Sequence, residues 1–465
     1  MSLLIVLAAL VFLMVVAYRG YSVILFAPVA ALGAVLLTDP TLVAPMFTGL
    51  FMDKMVGFLK LYFPVFLLGA VFGKLVEVSG FSRSIVATAV KVLGPSRAML
   101  AIVVVCALLT YGGVSLFVVV FAVYPFAAEL FRRANIPKRL IPGTIALGAF
   151  TFTMDALPGS PQIQNIIPTG FFGTTALAAP ILGTIGGVFI LVCGMAYLEW
   201  RRRVALAAGE GYGEGHLNEP APPVDERLPP AWLAVLPLVV VGLSNLAYTH
   251  WIPDLYGSSH SFVPSVMGSP APVVQDVPKV AAIWAVMAAL LTGIVCVLIT
   301  AWTAVTTAFA EGTKAAVGGA MLAAMNTASE YGFGAVIEAL PGFLVVANAM
   351  SAIPDPLVHQ AVTVTSLAGI TGSASGGMGI ALAAMADTFI AHANAAGIPM
   401  EVLHRVASMA SGGMDTLPHN GAVITLLAVT GLTHRQSYKD IFAITIIKTI
   451  AVFVIIGVYY ATGWV

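Results

Sequence analysis

Apolar runs long enough to cross a bilayer, about 20 residues each, recur along almost the whole chain. A soluble core cannot use this pattern. Only 9% of the 465 residues are charged and 59% are hydrophobic, whereas soluble domains average about 25% charged. The expectation is therefore a polytopic membrane protein with roughly ten to fourteen passes. The first segment, Leu3 to Tyr18, has no basic region before it and no small-residue cleavage site after it, so it is expected to be an uncleaved first helix.

Charge and cysteine usage narrow the class. Lys+Arg and Asp+Glu both number 21, and no basic stripe interleaves with aromatics, so nucleic acid is not an expected partner. Cys106, Cys193 and Cys296 all lie within apolar runs, without metal-site or disulfide spacing. A P-loop, H-E-x-x-H, G-x-S-x-G and an arginine-rich voltage-sensor helix are all absent from the sequence, which argues against ATP drive, common hydrolase chemistry and voltage gating. No cofactor and no metal site are expected.

Arg201, Arg202 and Arg203 close a long apolar run, and the chain then stays polar and proline-rich to Pro230. This reads as a cytoplasmic stop followed by a flexible linker, dividing the chain into 1–200, 201–230 and 231–465. The segment from Thr249 to Pro278 is nearly free of basic residues and fits a loop on the opposite side.

The two halves echo each other. Phe72-Gly73 to Glu77 matches Phe333-Gly334 to Glu338, and each is followed by a Gly-Phe pair, Gly80-Phe81 and Gly342-Phe343. Gly112-Gly113 matches Gly376-Gly377, Ile136-Pro137 matches Ile398-Pro399, and Met154-Asp155-Ala156-Leu157-Pro158 matches Met414-Asp415-Thr416-Leu417-Pro418. Internal duplication of this kind is characteristic of secondary transporters. Charge placement inverts the halves. Arg132, Arg133, Lys138 and Arg139 surround the first Ile-Pro pair, where the second half has only Arg405. His434, Arg435 and Lys439 follow the second Met-Asp segment, where the first half has no basic residue between Asn165 and Trp200. Basic loops face the cytoplasm. The expected fold is an all-α polytopic membrane protein of two inverted repeats, with re-entrant hairpins and broken transmembrane helices.

Chemistry is expected where the helices are interrupted. The glycine-rich segments at Thr110 to Gly113 and Thr371 to Gly377 split apolar runs into arms that are short for a full crossing, as hairpin tips do; helix packing through small residues is the alternative. The prolines and glycines after Asp155 and Asp415 end a helix there, freeing backbone N–H groups that suit a carboxylate and C=O groups that suit a cation or proton carrier. An ionised Asp at the centre of a membrane helix costs about 2.5–3.5 kcal/mol, so Asp155 and Asp415 are candidate proton carriers, or else caps of the following half-helices. His419 is a third candidate carrier. Thr110, Gly112, Gly113, Ser160, Asn165, Ser373, Ser375, Gly376, Gly377, His419 and Asn420 are candidate contacts for a substrate bearing carboxylate and hydroxyl groups. Hydrogen bonding to loop backbone is the structural alternative for each side chain. Glu77 and Glu338 are expected to serve as scaffold. These residues alone leave H⁺ and Na⁺ open as the coupling ion.

The stretches Gly20-Tyr21-Ser22-Val23-Ile24-Leu25-Phe26-Ala27-Pro28 and Leu109-Thr110-Tyr111-Gly112-Gly113-Val114-Ser115-Leu116-Phe117, with the Met-Asp-x-Leu-Pro pair, resemble the gluconate permease (GntP) family of proton symporters. The likeness runs over the whole chain. It implies transport of gluconate and related sugar acids, D-serine or 3-hydroxybutyrate across the bacterial inner membrane, with H⁺ as the coupling ion. The texture of Ser411 to Gly421 and Thr433 to Phe442 is similar to the hydroxybutyrate-type members. The wider ion-transporter superfamily implies inverted repeats, two re-entrant hairpins, and often a homodimer working by an elevator movement. Rival readings are a metal-citrate or dicarboxylate carrier of that superfamily, a membrane-embedded enzyme and a passive channel.

Overall fold

A computed structural model describes residues 2–19, 21–94, 97–114, 116–219, 228–262, 272–343, 345, 353–418 and 420–465. Over its described residues the chain is an all-α polytopic membrane protein apart from two short, exposed, paired strands. The first half contains α1 (Ser2–Tyr18), α2 (Val23–Thr38), α3 (Met52–Val78), α4 (Phe81–Leu93), α5 (Ala98–Tyr111), α6 (Leu116–Arg133), α7 (Ile141–Ala149), α8 (Ile163–Phe172) and α9 (Pro180–Ala207). The second contains α10 (Ala231–Tyr256), α11 (Ala281–Thr300), α12 (Trp302–Glu338), α13 (Pro356–Thr371), α14 (Ala374–Ala395), α15 (Met400–Ser411), α16 (Gly421–Thr430) and α17 (His434–Thr462).

Among the described residues, six helical stretches are long and apolar enough to cross a membrane: Pro40–Val78, Pro180–Ala207, Ala231–Tyr256, Ala281–Thr300, Ala374–Ala395 and His434–Thr462. Shorter apolar helices accompany them. The second arm of the second hairpin, α14, is thus long enough to cross, unlike the short arm expected from its glycine-rich start. The loop between α10 and α11 carries strands β1 (Ser259–Phe262) and β2 (Val273–Asp276), paired antiparallel with Ser259 opposite Asp276. This exposed ribbon departs from the purely helical expectation.

Apart from α4, whose counterpart falls largely outside the described residues, the two halves repeat in element order and exchange partners. Helix α2 packs on α12 as α11 packs on α3, and α8 packs on α14 and α15 as α16 packs on α6 and α7. The equivalent helices α9 and α17 lie side by side and antiparallel. At one end Ile181 N–H donates to Val465 O at 3.2 Å; at the other Arg201 Nε meets Asp440 Oδ1 at 2.6 Å. Equivalent helices running in opposite directions make the repeats inverted. Glycines allow the close approach: a Cβ on Gly148 of α7 would lie 2.6 Å from Val103 O of α5, and one on Gly187 of α9 would lie 2.9 Å from Leu157. Small residues at such crossings let helix backbones pack without a hydrophobic driving force from water.

Arg139 and Arg201 meet at Asp440 of the other half, where Ser437 Oγ also donates to Arg139 O at 2.6 Å. The polar segment after α9 is not loose over its described part. Arg139 grips Glu210 with two hydrogen bonds of 2.7 Å. Glu219 takes Lys138 at 2.8 Å, Tyr212 at 2.9 Å and Arg132. Asn218 reaches Ala428 O at 2.8 Å, joining this strap to α16. Hydrogen bonds from Arg139 hold the Glu210 carboxyl below its ordinary value. At Glu219 burial pushes upward, but the hydrogen bonds from Lys138, Tyr212 and Arg132 prevail and hold it low.

A depressed carboxylate stabilises the docked form above its unfolded value, and that contribution is lost as pH falls through the lowered value. Residues 208–219 should therefore resist proteolysis across neutral pH and become cleavable only in acid below the usual glutamate range. Limited proteolysis at neutral pH should cut this segment in Glu219→Gln and spare it in the wild type.

Candidate functional site

Neither Met-Asp segment lies on a continuous helix. Helices α7 and α15 have 9 and 12 residues, and α8 and α16 have 10 each, about half of a crossing or less. Between α7 and α8 the chain makes a single turn at Phe152–Asp155 and an irregular run to Gln162. Between α15 and α16 it is irregular from Gly412 to Asn420 over its described residues. Lipid cannot satisfy such backbone, so the protein must.

The satisfaction is specific and crosses between the repeats. Arg405, fully buried on α15, reaches into the first break. Its guanidinium donates to Asp155 O at 3.1 Å, to Asn165 Oδ1 at 3.0 Å, and to Ala178 O at 2.7 and 3.2 Å. Ser408 Oγ adds a 2.7 Å bond to Asp155 O. Lys448, buried on α17, bonds to Phe150 O of the first break at 3.1 Å and forms a short ion pair with Asp415 of the second. The two breaks also touch directly: Asp155 Oδ2 lies so close to Gly412 that a Cβ there would overlap it.

The two aspartates occupy equivalent positions with unequal surroundings. Asp415 is paired with Lys448. Asp155 is 1% exposed, yet neither carboxylate oxygen has a hydrogen-bond partner. Lys448, Asp415 and Arg405 are the charges that act on it. Neither aspartate is the residue at the start of the following half-helix. Those positions are Gln162 and Asn420, and Asn420 Oδ1 caps α16 by accepting from Val423 N–H at 2.9 Å.

Each hairpin tip is tied to its own break. Gln162 Nε2 donates to Thr110 O at 2.7 Å, and Tyr111 Oη donates to Pro158 O at 2.7 Å. Asn420 Nδ2 donates to Gly372 O at 2.7 Å. Gly112, Gly113, Gly376 and Gly377 are buried at the tips. Gly112 lies beside Leu238, Gly113 beside Pro161, and Gly377 against the α13 backbone at Ala368. Gly372 turns the second tip in the left-handed conformation with φ of 66°. Thus the breaks are brought together, and each tip docks on its own break.

Several expected substrate contacts are occupied by structural bonds. Ser160 Oγ donates to Thr153 O at 2.7 Å. Asn165 Nδ2 holds Ser160 O at 2.9 Å and Ala176 O at 2.8 Å. Ser373 Oγ caps α14 by accepting from Gly376 N–H at 3.0 Å, and Ser375 pairs with Thr327 at 3.2 Å. Thr110 Oγ1 is buried without a partner. His419 lies outside the described residues. Glu77 pairs with Lys74 at 2.8 Å and Glu338 is exposed.

Arg405, Lys448, His404 and Glu330 belong to the polar interior and were not singled out from sequence. His404 Nε2 lies 3.3 Å from Asn165 Oδ1 and its Nδ1 lies 2.7 Å from Thr174 Oγ1. Counting Arg405 as a loop charge was wrong, because it is buried at mid-helix. The available signal was a lone charge inside an apolar run, which is a site by default in a membrane chain. Lys448, standing between Ile447 and Thr449 in a long apolar helix, shows it most clearly.

Removing one member of a buried ion pair costs about 3–5 kcal/mol, because the partner is left charged and alone. Lys448→Met should lower thermal stability in detergent by that order, and Lys448→Met with Asp415→Asn should recover much of the loss. Gly412→Ala should cost about 1–3 kcal/mol by overpacking, and Asp155→Ala in the same chain should relieve it. Both double-mutant comparisons are read as midpoints of thermal unfolding.

No protein-family profile matches the chain. It is 59% identical over 474 residues to the uncharacterized transporter YxjC of Bacillus subtilis (strain 168), covering 100% of both sequences. The YdaH transporter of Alcanivorax borkumensis, whose crystal structure has an unusual topology, aligns over 92% of this chain and 90% of its own at 15% identity and a TM-score of 0.49. At that level nothing about mechanism is carried over.

Proposed function

We propose that this chain, which belongs to the transporter family of Bacillus subtilis YxjC, is a proton symporter for a small hydroxycarboxylate such as 3-hydroxybutyrate or gluconate. The observation that carries the reading is Asp155: a fully buried carboxylate with both oxygens unpartnered, set where the two breaks meet.

Charge balance supplies the mechanism. Around the crossing of the breaks stand two cations, Arg405 and Lys448, and two carboxylates, Asp155 and Asp415. With both carboxylates ionised the group is neutral. Protonation of Asp155 leaves one net positive charge in a low-dielectric interior, where Coulomb interactions are strong. A substrate carboxylate restores neutrality. Proton and anion therefore favour each other's binding, and that linkage is reciprocal. The freed N–H groups at the starts of α8 and α16 suit the same carboxylate, and Thr110 has a hydroxyl free to meet a substrate hydroxyl. Asp415, held by Lys448, is the fixed counter-charge. Alternating access then requires differential movement of the repeats around this centre. The resemblance to the gluconate permeases supports the substrate class and the bacterial inner membrane as location. A homodimer would fit the same resemblance.

Radiolabelled 3-hydroxybutyrate, gluconate and citrate with Mg²⁺ would be offered to proteoliposomes under an imposed pH gradient, acid outside. A hydroxycarboxylate should accumulate, and a protonophore should abolish the accumulation. Asp155→Asn should abolish gradient-driven accumulation while leaving substrate exchange measurable. Accumulation that follows a sodium gradient instead, or an undiminished Asp155→Asn, would remove the proton claim. Uptake of citrate alone would favour the metal-citrate carrier, and a chemically altered product would favour an enzyme.

A further inference from the structure

A second unpartnered carboxyl lies buried beside the second hairpin. Glu330 on α12 is 3% exposed, and its Oε2 has no hydrogen-bond partner. It faces the first turn of α14, directly after the tip at 371–377. The carboxyl lies so close to Gly376 that any Cβ there would overlap it. Around it Ser329 Oγ is also buried without a partner, and Thr327 Oγ1 meets Ser375 Oγ at 3.2 Å. The register that matches Glu338 with Glu77 places Gly69 at the corresponding position of the first repeat, so the feature belongs to one hairpin only.

Among the described residues no ion pair is formed with this carboxyl. The elements packed on α12 are α2, α3, α11, α14 and the turn before α3. Their charged and histidine side chains are Asp53, Lys54, Lys60, Lys74 and Glu77 on α3 and Asp387 and His392 on α14. Burial is the governing influence on Glu330.

We infer that Glu330 is a second proton-binding group, which latches the tip at 371–377 shut when neutral and frees it when ionised. With the tip seated, Gly376 and the first turn of α14 keep water from the carboxyl, and the neutral form is the one that fits a buried site without a cation. The start of α14 offers partial positive charge to an ionised carboxylate, but a helix terminus is a modest compensation for desolvating a full charge. Ionisation therefore requires water, and water requires the tip to lift. The proton goes to that water on opening and returns from it on closing; the carboxyl O–H bond is the only one broken and remade. Closure is favoured on the acid side and weakens as pH rises. Glycine at 376 is what allows the carboxyl to approach the backbone this closely.

A role of this latch in coupling rests on the transport reading above. The latch itself is read without substrate, so the two can fail separately. Hydrogen exchange of the purified full-length protein, corrected for the intrinsic pH dependence of amide exchange, would be followed from mildly acidic to mildly alkaline pH. Exchange in peptides covering 371–377 should rise with pH relative to peptides covering α11, 281–300, which carry no acidic, basic or histidine side chain. Glu330→Gln should abolish that pH response. An unchanged response in Glu330→Gln, or no response in the wild type, overturns the latch. Should Glu330→Gln fail to fold, dicyclohexylcarbodiimide labelling of the wild type decides: an adduct at Glu330 that fades as pH rises supports the latch, and no adduct at any pH overturns it. Absence of proton-coupled uptake, with the exchange response intact, would remove the coupling role and leave the latch.

Discussion

Lys448 holds the centre of this protein together. Its ammonium joins a backbone carbonyl of one broken helix, Phe150 O, to a carboxylate of the other, Asp415. In lipid an interrupted helix survives only if the protein itself supplies the partners that water would provide. Arg405 supplies four more such bonds, all to the first break and its flank. Each cation is carried by the second repeat and reaches into the first. The first repeat therefore depends on the second to keep its irregular backbone in place, so the pairing of the halves is a condition for the site as well as a feature of the architecture.

Symmetry builds the frame and its violations give the frame a chemistry. The element order repeats, the partners exchange, and α9 and α17 run antiparallel. Within that frame Asp155 and Asp415 have the same sequence context and different neighbours: one is paired, and the other is buried with both oxygens unpartnered. Arg405 stands where the Ile-Pro register puts Gly143, and Glu330 where the Glu77 register puts Gly69. A symmetric pair of identical sites would have no fixed counter-charge. The asymmetry leaves one carboxylate without a hydrogen-bond partner and the other in an ion pair.

Tight backbone contact is the second condition. Gly412 beside Asp155, Gly376 beside Glu330 and Gly148 beside Val103 are positions where any side chain would displace what it meets. Two of the three lie against a buried carboxyl. The glycine-rich segments therefore do two things at once: they interrupt the helices, and they let buried carboxyls approach the main chain closely.

Much of the architecture was legible in the sequence. Long apolar runs dictate membrane crossing, proline and glycine after each Met-Asp dictate a broken helix, and the matched motifs disclose the duplication, because each of these is a property of local chain chemistry. The charge bias even gave the inversion, since basic loops sort to one side. What stayed hidden depends on partners far apart in the chain. Arg405 and Asp155 are 250 residues apart, and Lys448 and Phe150 are 298 apart. Local pattern cannot say that Asp415 is paired and Asp155 is not, that Ser160, Asn165 and Ser373 hold backbone in place, or that Glu210 and Glu219 dock the segment after α9. The sequence determined where the helices must break and that the breaks come in pairs. The tertiary structure alone decided which buried charge meets which, because that choice is made by packing between the repeats and by the cost of leaving any charge in lipid without a partner.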